Sequence, residues 1–312
     1  MKGSKIIVSG GSGFVGQHLV RRFADFGCEI FIFTRDDTKI SQDGEVKNIL
    51  VRYLDEYSLS QKLRQIEPDH IVHLSSSRDR KSFKDCSISQ FNDDVATDLN
   101  FIMASSRLQQ LKSFIYFGTA DIYSCDGVIN TNSPVLPKNP YGLRKSMGIS
   151  LLSSLARFQG FPAVCLIPSI IYGPGQHTDM FLPALIDSLL KNQRFAMSDG
   201  NQLRDYIYVK DLVDVVLEHI DKPNSVCFGR TILLGSGEAV SIRDLALMVE
   251  HLINGSKDSL LNIGTVGQRA GKSKGYSYDM HESFDLLDWK PKISLHDGLV
   301  ETIDYAKSVT HA

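Results

Sequence analysis

The sequence predicts an α/β fold, a doubly wound parallel sheet with a small mixed lobe built from the C-terminal part of the chain. Three observations lead there. Short apolar runs alternate with longer amphipathic stretches, the runs lack the in–out alternation of a half-exposed sheet, and the first run passes through a glycine-rich turn straight into a helix face.

The first strand is expected at Lys5–Ser9, followed by a helix with Phe14, Leu19, Val20 and Phe23 on one face. The second, Glu29–Thr34, contains the continuous run Ile30-Phe31-Ile32-Phe33, as a strand covered on both faces requires. Further strands are expected at Lys47–Arg52, His70–Leu74, Phe114–Gly118, Ala163–Pro168 and Thr231–Leu234. Asn139-Pro140 supplies an N-cap and a proline for the first helical position. From Val209, the residues Leu212, Val213, Val216, Leu217 and Ile220 recur at helical spacing, with Asp211, Asp214 and Glu218 opposite. Ser241 and Asp244 form a capping box for another helix, which stops at Asn254-Gly255. Turn residues become denser after Pro168, so residues 1–168, completed by about 206–235, are assigned to the sheet domain. Residues 169–205 and 236–312 make the smaller lobe.

The chain has 312 residues, 42% hydrophobic and 22% charged, enough for about two domains with a substantial core. Its 34 basic and 36 acidic side chains give a formal charge of −2, which offers no field for a nucleic-acid backbone. The N-terminus has three consecutive apolar residues, too few for a signal peptide, and no run approaches the ~20 of a membrane span. Cys28, Cys86, Cys125, Cys165 and Cys227 are odd in number and widely spaced. A reduced, cytoplasmic protein with neither nucleic acid nor membrane as a partner is expected, so Asn254-Gly-Ser carries no glycan.

Gly10, Gly13 and Gly16 form Gly-x-x-Gly-x-x-Gly at the first strand-to-helix junction. There glycines permit a tight turn and close approach of a pyrophosphate, and the helix N-terminus attracts the anion, so a dinucleotide is expected. At the tip of the second strand an acid would bind the ribose 2′-hydroxyl of NAD and a cation the 2′-phosphate of NADP. Thr34-Arg35 stands there, which favours NADP(H); Asp36 and Asp37 keep NAD(H) as the alternative.

Tyr141-Gly-Leu-Arg-Lys145 is a Tyr-x-x-x-Lys motif. So short a motif arises by chance, and Tyr206-Ile-Tyr-Val-Lys210 is a second instance. Setting separates them: a helix opening at Asn139-Pro140 puts Tyr141 and Lys145 on one face, whereas Tyr206 lies in an extended run. An ordinary tyrosine, with a pKa near ~10, needs such a cation to exchange a proton at neutral pH. Thr119, just past a strand at the carboxyl edge, can fix the reacting oxygen.

With Tyr172-Gly-Pro-Gly175, Arg204-Asp-Tyr-Ile-Tyr-Val-Lys-Asp211, Leu234-Gly-Ser-Gly-Glu238 and Trp289-Lys-Pro291, these motifs cover essentially the whole chain. Together they resemble an extended short-chain dehydrogenase/reductase of the sugar-nucleotide epimerase/dehydratase type. The resemblance implies a Rossmann domain with a nucleotide-sugar lobe, and a homodimer formed through a four-helix bundle. It implies Thr119, Tyr141 and Lys145 as the catalytic set, and Gly10, Gly13, Phe14, Val15 and Gly16 at the pyrophosphate. Leu74, Ser75 and Ser76 would line the nicotinamide side, with Pro168 and Ile170 near the carboxamide, and Arg204 and Arg269 would grip the substrate diphosphate. Asp121 stands where dehydratases of this family carry a glutamate base, and a solvated turn aspartate is the competing reading.

Several positions depart from the family's pattern. Ser75-Ser76 replaces Ala-Ala, Arg52 replaces an aspartate near adenosine, and Ile167 and Ile170 stand where many epimerases have Arg and Asn. Gly267-Gln-Arg-Ala-Gly-Lys-Ser273 is one residue short of a P-loop, and His70 and His73 point to opposite strand faces, so neither ATP nor a metal is expected. The expected activity is NADPH-dependent reduction of a nucleotide-linked 4-keto-6-deoxy sugar by hydride transfer, with Tyr141 as proton donor. The alternatives are a 4-epimerase or 4,6-dehydratase with retained cofactor, or a non-enzymatic NADP-binding regulatory scaffold.

Overall fold

The computed structural model describes residues 1–35, 46–75, 81–123, 126–255, 258–267 and 275–310. The chain forms two compact units, one of residues 1–124, 131–168 and 213–232, the other of 125–130, 169–212 and 233–312. No helix among the described residues is long and apolar enough to cross a membrane.

In chain order the elements begin with β1 (Lys5–Ser9), α1 (Phe14–Asp25), β2 (Glu29–Thr34), β3 (Val46–Leu50), α2 (Glu56–Ile66), β4 (His70–His73), α3 (Ile88–Ser105) and β5 (Ser113–Phe117). There follow β6 (Gly127–Ile129), α4 (Pro140–Gln159), β7 (Ala163–Pro168), β8 (Ile170–Tyr172), α5 (Phe181–Leu190), β9 (Phe195–Met197), β10 (Leu203–Tyr208) and α6 (Val209–Asp221). The last are β11 (Thr231–Leu234), β12 (Ala239–Ser241), α7 (Ile242–Asn254), β13 (Leu261–Ile263), β14 (Tyr276–Tyr278), α8 (His281–Leu287) and α9 (Leu295–Thr310).

Seven strands form one sheet in the order β11-β7-β5-β4-β1-β2-β3, and the pairs from β7 across to β3 are parallel. Strand order reverses at β1, which lies between β2 and β4; in such sheets ligands collect at the carboxyl ends beside this switch. The doubly wound α/β fold is therefore present, with every expected strand in the main sheet. Three differ at their ends: the strand expected at Lys47–Arg52 runs Val46–Leu50, that at His70–Leu74 runs His70–His73, and that at Phe114–Gly118 runs Ser113–Phe117. Burial explains the continuous apolar runs, since Ile6, Ile7, Val8, Ile30, Ile71, Val72, Phe114 and Ile115 are wholly enclosed.

The second unit has its own core of Tyr172, Leu182, Leu185, Ile186, Leu245, Val249 and Leu299 among others. Its sheets are small: β12-β10-β8, β13-β9 and β14-β6. Ser241 caps α7 by accepting from the Asp244 amide at 2.9 Å, as the capping box requires.

Candidate active site

The glycine turn lies among the ends of three strands. Gly10 follows β1 with φ +80°, donates to the Phe33 carbonyl of β2 at 3.3 Å, and accepts from the Gly13 amide at 3.0 Å. A Cβ on Gly10 would lie 2.9 Å from the Ser75 amide nitrogen, and one on Gly16 would lie 2.3 Å from the Gly10 oxygen. Neither position tolerates a side chain without moving backbone. Gly13 caps α1, on which Phe14 and Val15 are half-buried and Phe14 sits edge-on to His18. Leu74 and Ser75, half-buried, leave β4 beside this turn, the Leu74 amide donating to the Ser9 carbonyl at 2.9 Å. Thr34 is half-buried at the end of β2 and Arg35 is exposed after it. Asp36, Asp37 and Ser76 lie outside the described residues.

The catalytic candidates come together by local chemistry. Thr119, 8% exposed, follows β5 and accepts the Asp121 amide at 3.3 Å, opening a short helical turn. Its hydroxyl proton is left to be donated elsewhere. This turn is bound to the start of α4: the Leu136 amide donates to the Ile122 carbonyl at 2.8 Å and the Lys138 amide to the Asp121 carbonyl at 3.1 Å. Asn139 caps α4 by accepting the Gly142 amide at 2.8 Å, and its side-chain amide donates to Asp121 Oδ2 at 3.4 Å. Gly142 makes the approach feasible, since a Cβ there would come 2.5 Å from the Asp121 oxygen. Tyr141 is thus placed half-buried in the first turn of α4, with the Arg144 guanidinium 5.4 Å from its ring centre, and Lys145 lies one turn further on.

Lys145 is 1% exposed, and its ammonium sits 4.3 Å from the Tyr116 ring centre and 3.8 Å from Asp98 Oδ2. Asp98, on α3, is also 1% exposed and accepts from His73 Nε2 at 3.2 Å and the Tyr116 hydroxyl at 3.0 Å. His73 Nδ1 bonds Ser9 Oγ at 2.9 Å, and Ser9 Oγ bonds the Tyr53 hydroxyl at 2.9 Å. Burial opposes the Asp98 charge, yet the Lys145 ammonium, the His73 hydrogen bond and Arg144 hold its carboxyl well below the usual carboxylate range. Burial pushes His73 the other way from its partner's pull, below the ordinary imidazole value, so the ring is neutral at pH 7.

The sequence did not point to this polar floor. His73 stood out only as half of a discarded metal pair; His70, the other half, bonds Ser113 Oγ at 2.9 Å on its own. Asp98 carried one signal, its i, i+4 relation to Asp94 on a helix whose Phe101, Ile102 and Ser105 are buried.

Of the remaining expected residues, those described are on later elements. Pro168 ends β7 in the first unit, while Ile170 opens β8 in the second. Arg204, on β10 of the second unit, donates to its neighbour's carbonyl (Leu203) at 2.7 Å and stands 5.7 Å from the Tyr276 ring centre. Arg269 lies outside the described residues, as do residues 268–274. Tyr206 is buried in a strand and Lys210 pairs with Glu301, so the second Tyr-x-x-x-Lys is architectural.

Residues 6–235 match the NAD dependent epimerase/dehydratase family. The chain belongs to that family. It is thereby an enzyme of the extended short-chain dehydrogenase/reductase type. A Bacillus subtilis protein named as an uncharacterised UDP-glucose epimerase is 27% identical over 98% of both chains. The CDP-abequose synthase of Salmonella typhimurium is 24% identical, with 96% of this chain and 97% of that one covered. Among solved structures, a UDP-glucose 4-epimerase from Thermotoga maritima with UDP-glucose has the same fold, with a TM-score of 0.84 at 21% identity over 98% of this chain and 99% of that one.

The family's dinucleotide fits what this chain offers. The glycine turn is bare backbone where a Cβ would collide, and the buried Lys145 Nζ has no hydrogen-bond partner among the described residues.

Proposed function

We propose that this enzyme interconverts the C4 hydroxyl and C4 keto groups of a nucleotide-activated sugar, as a 4-epimerase or 4,6-dehydratase that retains its dinucleotide. One observation carries the reading: the turn of Thr119 is bonded to the segment that opens α4, the helix that carries Tyr141 and, one turn on, the buried Lys145, whose Nζ makes no hydrogen bond among the described residues. When bound, the nicotinamide supplies the oxidant and reductant of the cycle. Gly10, Gly13, Phe14, Val15 and Gly16 hold the pyrophosphate side, and Leu74, Ser75 and Pro168 line the nicotinamide side. Tyr141 takes the proton from the C4 hydroxyl and returns it, Thr119 donates to the same oxygen, and Lys145 binds ribose and places positive charge behind the phenol. Ile170 and Arg204 belong to the same reading as carboxamide and diphosphate contacts.

Asp121 distinguishes the two branches. Its carboxylate accepts a bond from Asn139, the cap of the helix that carries Tyr141, so it serves as a brace for that helix. This supports 4-epimerisation over elimination of water.

A second reading, NADPH-dependent reduction of a 4-keto-6-deoxy nucleotide sugar, is favoured by Arg35 at the tip of β2, an exposed cation where a 2′-phosphate would lie. Purified protein incubated with UDP-glucose, and separately with NADPH and a dTDP-4-keto-6-deoxy sugar, tests both. Isomer formation without net change in cofactor absorbance is the expected result; stoichiometric loss of NADPH with the keto sugar replaces it with the second reading. Tighter binding of NADPH than NADH, abolished in Arg35→Ala, would assign the cofactor to NADP(H). A homodimer through α3 and α4 is part of the proposal, supported by exposed Ile88, Met103, Met147 and Phe158 on these helices, and light scattering checks it.

A further inference from the structure

Asp98 buries a charge that the proposed chemistry of Thr119, Tyr141 and Lys145 does not itself require. Groups from three other elements face it: His73 on β4 and Tyr116 on β5 by hydrogen bonds, Lys145 at 3.8 Å and Arg144 Nε at 3.6 Å from α4. On its own helix Asp94, one turn earlier, meets Arg144 Nη1 at 3.4 Å. Among the described residues Asp98 is the one carboxylate within ion-pair distance of Lys145. The separation matters. At 3.8 Å the carboxylate balances the ammonium's charge without taking any of its three N–H donors, which stay available to a ligand.

The bonds behind Asp98 have only one direction. An ionised carboxylate only accepts, so His73 Nε2 donates; the neutral ring then accepts at Nδ1 from the Ser9 hydroxyl, and Ser9 accepts from Tyr53. The row runs from Tyr53, past the glycine turn's first residue, to α4. Each member fixes the next.

We propose that Asp98 is the positioning residue for Lys145: its carboxylate, oriented by the Tyr53–Ser9–His73 row, keeps the buried ammonium charged and in place with its donors free for the dinucleotide ribose. The ribose contact rests on the function proposed above, whereas the pairing of Asp98 with Lys145 does not.

The test therefore begins with cofactor-free protein. Lysine labelled at Cε and Nζ is followed by NMR against pH, with the Lys145 signal assigned by Lys145→Arg. Wild type is expected to keep the Lys145 ammonium signal at least about one pH unit further into the alkaline range than Asp98→Asn, where Arg144 faces an uncompensated cation. Asp98→Glu, which keeps the charge, is expected to restore the wild-type curve, and it carries the test if Asp98→Asn does not fold. Coincident curves for wild type and Asp98→Asn, or a glutamate variant that behaves like asparagine, overturn the proposal. NAD(H) and NADP(H) titrations at pH 7 and 9 form the second arm. The Asp98→Asn affinity is expected to fall about tenfold more than wild type between these values; parallel loss in the two proteins overturns the ribose link. Separated NMR curves in a wild type that binds neither dinucleotide overturn that link and the cofactor assignment, and leave the ion pair standing.

Discussion

Both units bury carboxylates, and they bind them differently. In the first, Asp98 is 1% exposed and its partners are side chains, chiefly Lys145, His73 and Tyr116. In the second, Asp205 is 0% exposed and takes the amides of Ser236, Gly237 and Tyr278 at 2.8–3.2 Å, together with the Ser236 hydroxyl. Asp211 takes the amides of Lys292 and Ile293, and Glu250 that of Leu260 with the Ser259 hydroxyl. The shifts are opposite. Burial pushes the Asp205 carboxyl up despite its four bonds, whereas cations hold Asp98 down. Amide-bound acids tie distant loops together; a charge-bound acid maintains another charge.

The largest effect is expected where the amides are lost. Asp205→Ala takes the acceptor from one buried backbone N–H, that of Tyr278, and from two part-buried ones, those of Ser236 and Gly237, which together costs about 3 kcal/mol on a scale of ~1–3 kcal/mol for each fully enclosed group. Urea unfolding followed by Trp289, the single tryptophan and itself in the second unit, reads that loss; a midpoint unchanged from wild type would erase the distinction. Tyr141→Phe is the converse. Turnover should fall ~10²–10⁴-fold while stability stays within about 0.5 kcal/mol, since the residue is half-buried and loses one oxygen.

An acid titration of stability sharpens the contrast further. Asp98 has a folded value below its unfolded one of about 4, so its stabilisation is complete above that pH and is lost on further acidification. For Asp205 the folded value lies above, so acidification through the same region favours the folded state. Asp98→Asn should accordingly flatten the decline between pH 5 and 3 that thermal melts record, and Asp205→Asn should steepen it. The histidines add a decline at higher pH: burial lowers His70 and His219 to about 4, so the neutral forms stabilise above ~6.5 and the benefit is lost as pH falls towards 4. Smallest is the exposed pair of Lys47 with Glu29. Lys47→Ala is expected to change stability by no more than ~0.5 kcal/mol, a control for charge removed where water already screens it.

What the sequence disclosed follows from the reach of each interaction. Strands covered on both faces, the glycine turn and the caps at Asn139 and Ser241 are settled within a few residues, so they were legible. Strand ends were less so: Val51 is buried as a strand residue could be, but pairing stops at Leu50 and the chain turns, the Asp55 amide reaching the Arg52 carbonyl. The pairing of β6 with β14 joins three-residue strands nearly 150 positions apart and left no pattern. The polar floor escaped for the same reason. Ser9, His73 and Asp98 lie far apart in the chain, and the spacing of Asp98 from Asp94 is the one local mark it carries.

The interleaving of the two units has a consequence for synthesis. The main sheet cannot gain its β11 edge until the ribosome has passed residue 234, because β7 waits for a partner more than sixty residues downstream. Until then β7 presents an open apolar edge, the kind that pairs with other chains. A fragment ending at Pro168 would stay in that state permanently. Expression trials should therefore find it aggregating, and the useful truncations are those that reach past β11.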